Sequence, residues 1–276
     1  MSRAYAEVIG DPIAHSKSPL IHNFWLEKLG VEAEYRVCRV KPEELADYFA
    51  RRCGDLQWRG CNVTIPHKEL VGSFADAIDA KARAIGASNC VFRDDRGLLI
   101  ATNTDVDGVA DAIADVALAG ADVCILGSGG AARAAFHALI GSRCWLHVLA
   151  RDPDKAIRVS SEAGYPGTGV RLESGHTAMV GASLFINATQ LGMVGQEKMP
   201  PSVLTELPEM EERALVFDMV YAPLDTGLLS AARAQGLRTA DGLVMLIGQA
   251  ATAFERFFGQ PAPREHDAEL RAMLTA

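Results

Sequence analysis

This 276-residue chain has no C-x-x-C pair among its six cysteines, no basic run, and no apolar stretch of membrane-spanning length. Each absence excludes a class. Without paired cysteine spacing, a zinc site or a disulfide framework is not expected, and the thiols in apolar runs such as "DVCIL" and "SRCWLHVLA" read as buried and free. A formal charge of −8 without a basic patch makes nucleic acid and anionic membranes poor partners. The N-terminus lacks the charged and apolar regions of a signal peptide, so a cytoplasmic protein is expected. G-x-S-x-G is missing too, and no cysteine has an evident histidine partner, which leaves nucleophilic catalysis without a candidate. What remains is a soluble chain, 49% apolar, long enough for two cores.

The predicted elements fall into two groups. Strands at 4–9, 34–40 and 57–64 alternate with helical patterns at 19–29 and 42–53, and a hairpin at 90–93 and 98–101 turns on Asp94-Asp95-Arg96-Gly97. An amphipathic helix is expected over 106–119. Beyond it, strand patterns at 122–126, 145–149, 168–172, 184–188, 215–219 and 237–239 alternate with helical stretches, which predicts a doubly wound parallel sheet. The stretch 195–212 is the least regular. The final run "GLVMLIGQAATAFERFFG" predicts an apolar helix, stopped by Gly259 and Pro261, that packs back on the first domain. The expected fold class is therefore α/β. Residues 1–104, completed by 242–276, are expected to form one α/β domain, and 105–241 a second built on the doubly wound sheet.

Four stretches carry candidate chemistry. "HSKSPLIHN" begins a helix, with Ser18 as N-cap and Pro19 in the first turn, and leaves Ser16 unexplained by capping alone. A helix start with two hydroxyls at its mouth suits a carboxylate. "DVCILGSGGAARAAFHALI" runs a strand into Gly127-Ser128-Gly129-Gly130-Ala131-Ala132 and a helix, the G-x-G-x-x-A dinucleotide fingerprint. Gly127 permits the turn, Gly129 admits a pyrophosphate, and Ala132 keeps the helix close to the sheet. "GCNVTIPHKE" places Asn62 and Thr64 on one strand face before Lys68, and "ATNTDVDG" places Asp105 at the domain junction. In most sequences a polar strand end with a solvated lysine, and a plain helix cap, are what such patterns mean. In a cleft, however, a lysine and a carboxylate can exchange a proton with an alcohol oxygen as hydride moves to or from its carbon.

Taken together, "GDPIAHSKSPLIHN", "GCNVTIPHK", "GASN", "NTDVDG", "GSGGAARA", "NATQLGM", "DMVYAPLDT" and "DGLVMLIGQAA" resemble the shikimate dehydrogenase family, in the family's order and along nearly the whole chain. The resemblance implies reversible NADPH-dependent reduction of 3-dehydroshikimate to shikimate, a step toward chorismate and the aromatic amino acids. It implies that Ser16 and Ser18 bind the substrate carboxylate with Tyr221 nearby, and that Asn62, Thr64, Asn89 and Gln249 hold ring hydroxyls. Lys68 and Asp105 match the catalytic pair and also touch substrate. Gly127, Ser128, Gly129, Gly130 and Ala131 match the pyrophosphate loop. Asn187, Ala188, Thr189, Met219, Gly242 and Met245 match the nicotinamide side. His15 is expected to hydrogen-bond within its loop, Lys17 to be solvated, and His15 and His22 not to form a metal pair.

One departure bears on the cofactor. The family's N-R-T-x-x-R reads here Ala150-Arg151-Asp152-Pro153-Asp154-Lys155. Arg151 and Lys155 favour the 2′-phosphate of NADP, while Asp152 opposes it and leaves NAD open. Alternatives are a quinate/shikimate or aminoshikimate dehydrogenase using NAD, and a nucleotide-binding regulatory module that lost its chemistry. The state is expected to be a monomer or homodimer.

Overall fold

The computed structural model describes residues 3–174 and 176–276. It divides into two compact units, one of residues 1–104 with 249–276, the other of residues 105–248. The second division falls inside the last long helix rather than at its start, residue 242.

In the first unit the strands are β1 (Ala4–Gly10), β2 (Ala33–Arg39), β3 (Trp58–Val63), β4 (Ala77–Ile78), β5 (Cys90–Arg93) and β6 (Leu99–Thr102). Their order in the sheet is β2-β1-β3-β5-β6-β4. β1 pairs parallel with both β2 and β3, whereas β5 is antiparallel to β3 and β6. The helices are α1 (Ser18–Leu29), α2 (Leu45–Cys53) and α3 (Ala80–Ile85). β4 and α3 are too short to show a period in the sequence. One face of the sheet buries Ile9, Tyr48, Phe49, Trp58 and Val91. The other buries Val8, Tyr35, Cys90, Ala253 and Phe257.

The second unit holds α4 (Asp105–Ala112), β7 (Asp122–Leu126), α5 (Gly130–Ala138), β8 (Trp145–Ala150), α6 (Pro153–Glu162), β9 (Thr168–Arg171), α7 (His176–Met179), β10 (Leu184–Asn187), α8 (Pro201–Leu204), β11 (Leu215–Asp218), α9 (Gly227–Ala234) and β12 (Arg238–Ala240). The sheet runs β12-β11-β10-β7-β8-β9, every pair parallel. This is the doubly wound dinucleotide-binding order, and it reverses between β7 and β10, where such sheets bind their ligands. α10 (Gly242–Phe258) and α11 (Asp267–Thr275) follow, with Gly259 at φ +67° ending α10.

The helix expected over 106–119 stops at Ala112. Its end tightens into three-residue turns, with Ala114 N–H donating to Asp111 and Val116 N–H to Ile113. Val116 and Leu118 thereby reach the core on their own instead of along a helix face. No helix among the described residues is long and apolar enough to cross a membrane. None of the six cysteines is disulfide-bonded, and four of them are buried.

Candidate active site

The loop before α1 corrects the capping expectation by one position. α1 begins at Ser18 itself, Lys17 occupies the cap position, and no side chain caps the helix there. Ser16 Oγ instead accepts the Ser18 backbone N–H at 3.3 Å, while Ser16 N–H donates to Ile13 and Ile21 N–H to Lys17. The turn winds straight into the helix, so the hydroxyl two residues earlier holds the first exposed N–H. Lys17 is not merely solvated: its Nζ donates to the Leu274 carbonyl at 2.5 Å, at the C-terminal end of α11. That contact suits the negative end of a helix and keeps the ammonium tied away. His15 is exposed, and no hydrogen bond to its ring occurs among the described residues.

Beside this loop lies the turn carrying Lys68. A Cβ at Gly10 would sit 2.5 Å from Thr64 Cγ2, so only glycine lets β1 end this close to the strand end bearing Thr64. Asp11 N–H donates to Ile65, and Thr64 N–H to Ile9. β3 stops at Val63, so Thr64 lies just past the strand, half-buried, instead of within it. Lys68 follows, half-buried, its carbonyl accepting Ser88 N–H at 2.8 Å.

A buried polar chain connects the remaining substrate-side candidates. Tyr35 hydroxyl donates to Asn62 Oδ1 at 2.7 Å, and Asn62 Nδ2 approaches the Asn89 carbonyl at 3.4 Å. Asn89 Oδ1 accepts Thr104 N–H at 2.7 Å, and the Thr104 hydroxyl can donate to Asn89 Oδ1 at 3.2 Å or Gln249 Oε1 at 3.3 Å. Asn62, Asn89, Thr104 and Gln249 are all buried. Burying four polar side chains is costly unless they are paired, and these bonds pair them. Asp105, half-buried, follows Thr104 directly as the first residue of α4, with Asp107 in the same turn.

In the second unit Gly127 has φ +120°, and a Cβ there would meet Thr189 Cγ2 at 2.9 Å and the Ala188 carbonyl at 3.2 Å. The glycine turn is thus pressed against the end of β10. Gly129 opens α5 without a side-chain cap, and added Cβ atoms at Gly129 and Gly130 would meet nothing within 4 Å. Ser128 and Ala131 complete the loop, and Ala132 is fully buried in the core beneath. Unclaimed N–H groups over open space at a helix N-terminus fit a pyrophosphate. Asn187 is fully buried; its Nδ2 donates to Leu191 and Asp218, and its Oδ1 accepts both Thr189 N–H and the Thr189 hydroxyl at 2.6 Å. Gly242 is needed for close approach, since a Cβ would lie 2.3 Å from the Met219 carbonyl. Met219 and Met245 pack on the same core, and Tyr221 is exposed.

Asp152 carries less weight against NADP than its charge suggests. It is the N-cap of α6, its Oδ1 accepting Lys155 N–H at 3.0 Å, so the carboxylate is directed at the helix dipole. Arg151, exposed at the end of β8, is left as the side chain available to a 2′-phosphate, with exposed Lys155 one turn on.

Three residues escaped the sequence analysis. His67, inside "TIPHK", is buried, and its Nε2 donates to the Val40 carbonyl at 2.7 Å, pinning the Lys68 turn. Asp218, also buried, accepts from Asn187, from Val220 N–H and from the Thr226 hydroxyl at 2.7 Å. Burial raises its pKa, and these bonds oppose the rise. Tyr35 carried no motif signal.

The chain is similar to known proteins over nearly its full length. Residues 8–91 match the shikimate dehydrogenase substrate binding domain, and residues 242–269 the shikimate 5'-dehydrogenase C-terminal domain. The shikimate dehydrogenase (NADP(+)) of Sphingopyxis alaskensis is 49% identical over 99% of this chain and 97% of its own length. The crystal structure of shikimate 5-dehydrogenase from Thermus thermophilus, in complex with NADP(H) and shikimate, is 32% identical with a TM-score of 0.82, covering 98% of this chain and 99% of that one. The Listeria monocytogenes enzyme in complex with shikimate and NAD is 28% identical with a TM-score of 0.87, over 99% of this chain and 96% of that one. With relatives this similar over nearly its full length, the chain belongs to the shikimate dehydrogenase family.

Proposed function

We infer that the chain catalyses the reversible NADPH-dependent reduction of 3-dehydroshikimate to shikimate, on the way to chorismate and the aromatic amino acids. The observation that carries this reading is the buried chain Asn62–Asn89–Thr104–Gln249, four fixed polar groups in one unit, which suits a ring bearing several hydroxyls. Ser16 and Ser18, at the start of α1, receive the substrate carboxylate, with Tyr221 contributing its hydroxyl. Asn62, Thr64, Asn89 and Gln249 bind the ring oxygens.

Bound NADPH would supply the hydride. Gly127, Ser128, Gly129, Gly130 and Ala131 hold its pyrophosphate, Arg151 and Lys155 its 2′-phosphate, and Asn187, Ala188, Thr189, Met219, Gly242 and Met245 line the nicotinamide end. The Lys68 ammonium gives a proton to the carbonyl oxygen during reduction and takes it back during oxidation. Asp105 accepts a hydrogen bond from a substrate hydroxyl. Cysteines without disulfides suit a reducing compartment, and we place the enzyme in the cytoplasm.

Purified protein given shikimate and NADP⁺ should raise the nicotinamide absorbance. Lys68→Ala should lower kcat by about a hundredfold or more while KM stays within a few-fold, as for a group serving the transition state. No turnover of shikimate with either cofactor would overturn the reading.

A further inference from the structure

Tyr35 sits on β2 with its side chain buried and its backbone clamped: its N–H donates to Asn23 Oδ1 at 2.8 Å and its carbonyl accepts Asn23 Nδ2 at 2.9 Å. The His22 ring stacks on the phenol at 4.0 Å, the planes within 2° of parallel, and Phe257 lies 6.3 Å away. This packing leaves the hydroxyl aimed at Asn62 Oδ1, 2.7 Å away. We propose that Tyr35 is a positioning residue that fixes the orientation of the Asn62 amide, and so makes Asn62 a hydrogen-bond donor to a ring oxygen of the substrate. This rests on the reading of Asn62 as a substrate contact.

An amide has two faces to offer, an acceptor oxygen and a two-proton donor. Here the oxygen is engaged by a phenol that burial keeps protonated, since its pKa is raised well above the usual range. The Nδ2 makes only a long contact, 3.4 Å, with the Asn89 carbonyl. Its second N–H is therefore what the site offers. Without the phenol proton the amide could turn over and present its oxygen instead, and part of the population would face the substrate the wrong way.

Steady-state kinetics with shikimate and NADP⁺ on Tyr35→Phe, Asn62→Ala and the double variant test this. Tyr35→Phe should raise KM for shikimate about fivefold, the effect of one hydrogen bond, with kcat and KM for NADP⁺ near wild type. In the Asn62→Ala background it should add nothing. Asn62→Asp keeps the acceptor for Tyr35 and removes the donor, and should raise KM at least as much as Asn62→Ala. An equal effect of Tyr35→Phe in both backgrounds, or none in the wild type, overturns the proposal while sparing Asn62. An unchanged KM in Asn62→Ala overturns both readings.

Discussion

His22 lies fully buried in the first unit, with Tyr35 stacked on its ring and Trp25, Phe254 and Phe257 within 6.0 Å centroid to centroid. Neither ring nitrogen finds a hydrogen-bond partner among the described residues. Burial alone lowers its pKa from 6.5 to about 3. The unfolded chain, with its imidazole near the ordinary value, binds a proton that the folded chain refuses. Stability is therefore unaffected by this group above pH 6.5 and falls as the pH drops from there toward 3. Each pH unit inside that window costs about 1.4 kcal/mol, so at about pH 5 the loss reaches roughly 2 kcal/mol. His22→Leu removes the titrating group and keeps the site apolar. Urea unfolding at about pH 7 and pH 5 should show the wild type losing roughly 2 kcal/mol more than the variant, with contributions from other groups cancelling between the two. Trp25 and Trp58, both buried in this unit, report its unfolding by fluorescence. Equal losses in the two proteins would refute the buried neutral imidazole.

Two further substitutions address the ligand sites. Arg151→Ala should raise KM for NADP⁺ about tenfold or more, as for a lost hydrogen bond to a charged group, and leave KM for NAD⁺ nearly unchanged; initial rates with each cofactor decide it, and equal effects would exclude a 2′-phosphate contact. If the Ser16 oxygen that holds the turn also meets the substrate carboxylate as proposed, Ser16→Ala should raise KM for shikimate about tenfold. Ser16→Thr, which keeps that oxygen, should recover most of the loss, and a failure to recover would assign the serine to packing alone.

The features legible in the sequence are those written in neighbouring residues. The glycine turn declares itself because strand, turn and helix are contiguous, and the six parallel strands show as a regular alternation of apolar runs. Two charges take on a different weight once their partners are known. Lys17 looks solvated locally, yet its partner Leu274 lies on the C-terminal helix. Asp152 reads as a charge against phosphate until its cap bond to Lys155 N–H is seen. The two serines of S-x-S could not be told apart by spacing, since only the path of the turn decides which oxygen meets which N–H. Tyr35, His67 and Asp218 act through buried bonds to other parts of the chain, Asn62, Val40 and Asn187 among them, and spacing along the sequence does not announce such pairings.

The claim that the chain is an NADP-preferring shikimate dehydrogenase is decided by kcat/KM for shikimate and quinate, each with NADP⁺ and NAD⁺. Shikimate with NADP⁺ should give the highest value of the four. Quinate carries an extra hydroxyl on the carbon bearing the carboxylate and should be turned over poorly with either cofactor. A higher value for quinate, or for NAD⁺ with shikimate, would contradict the claim.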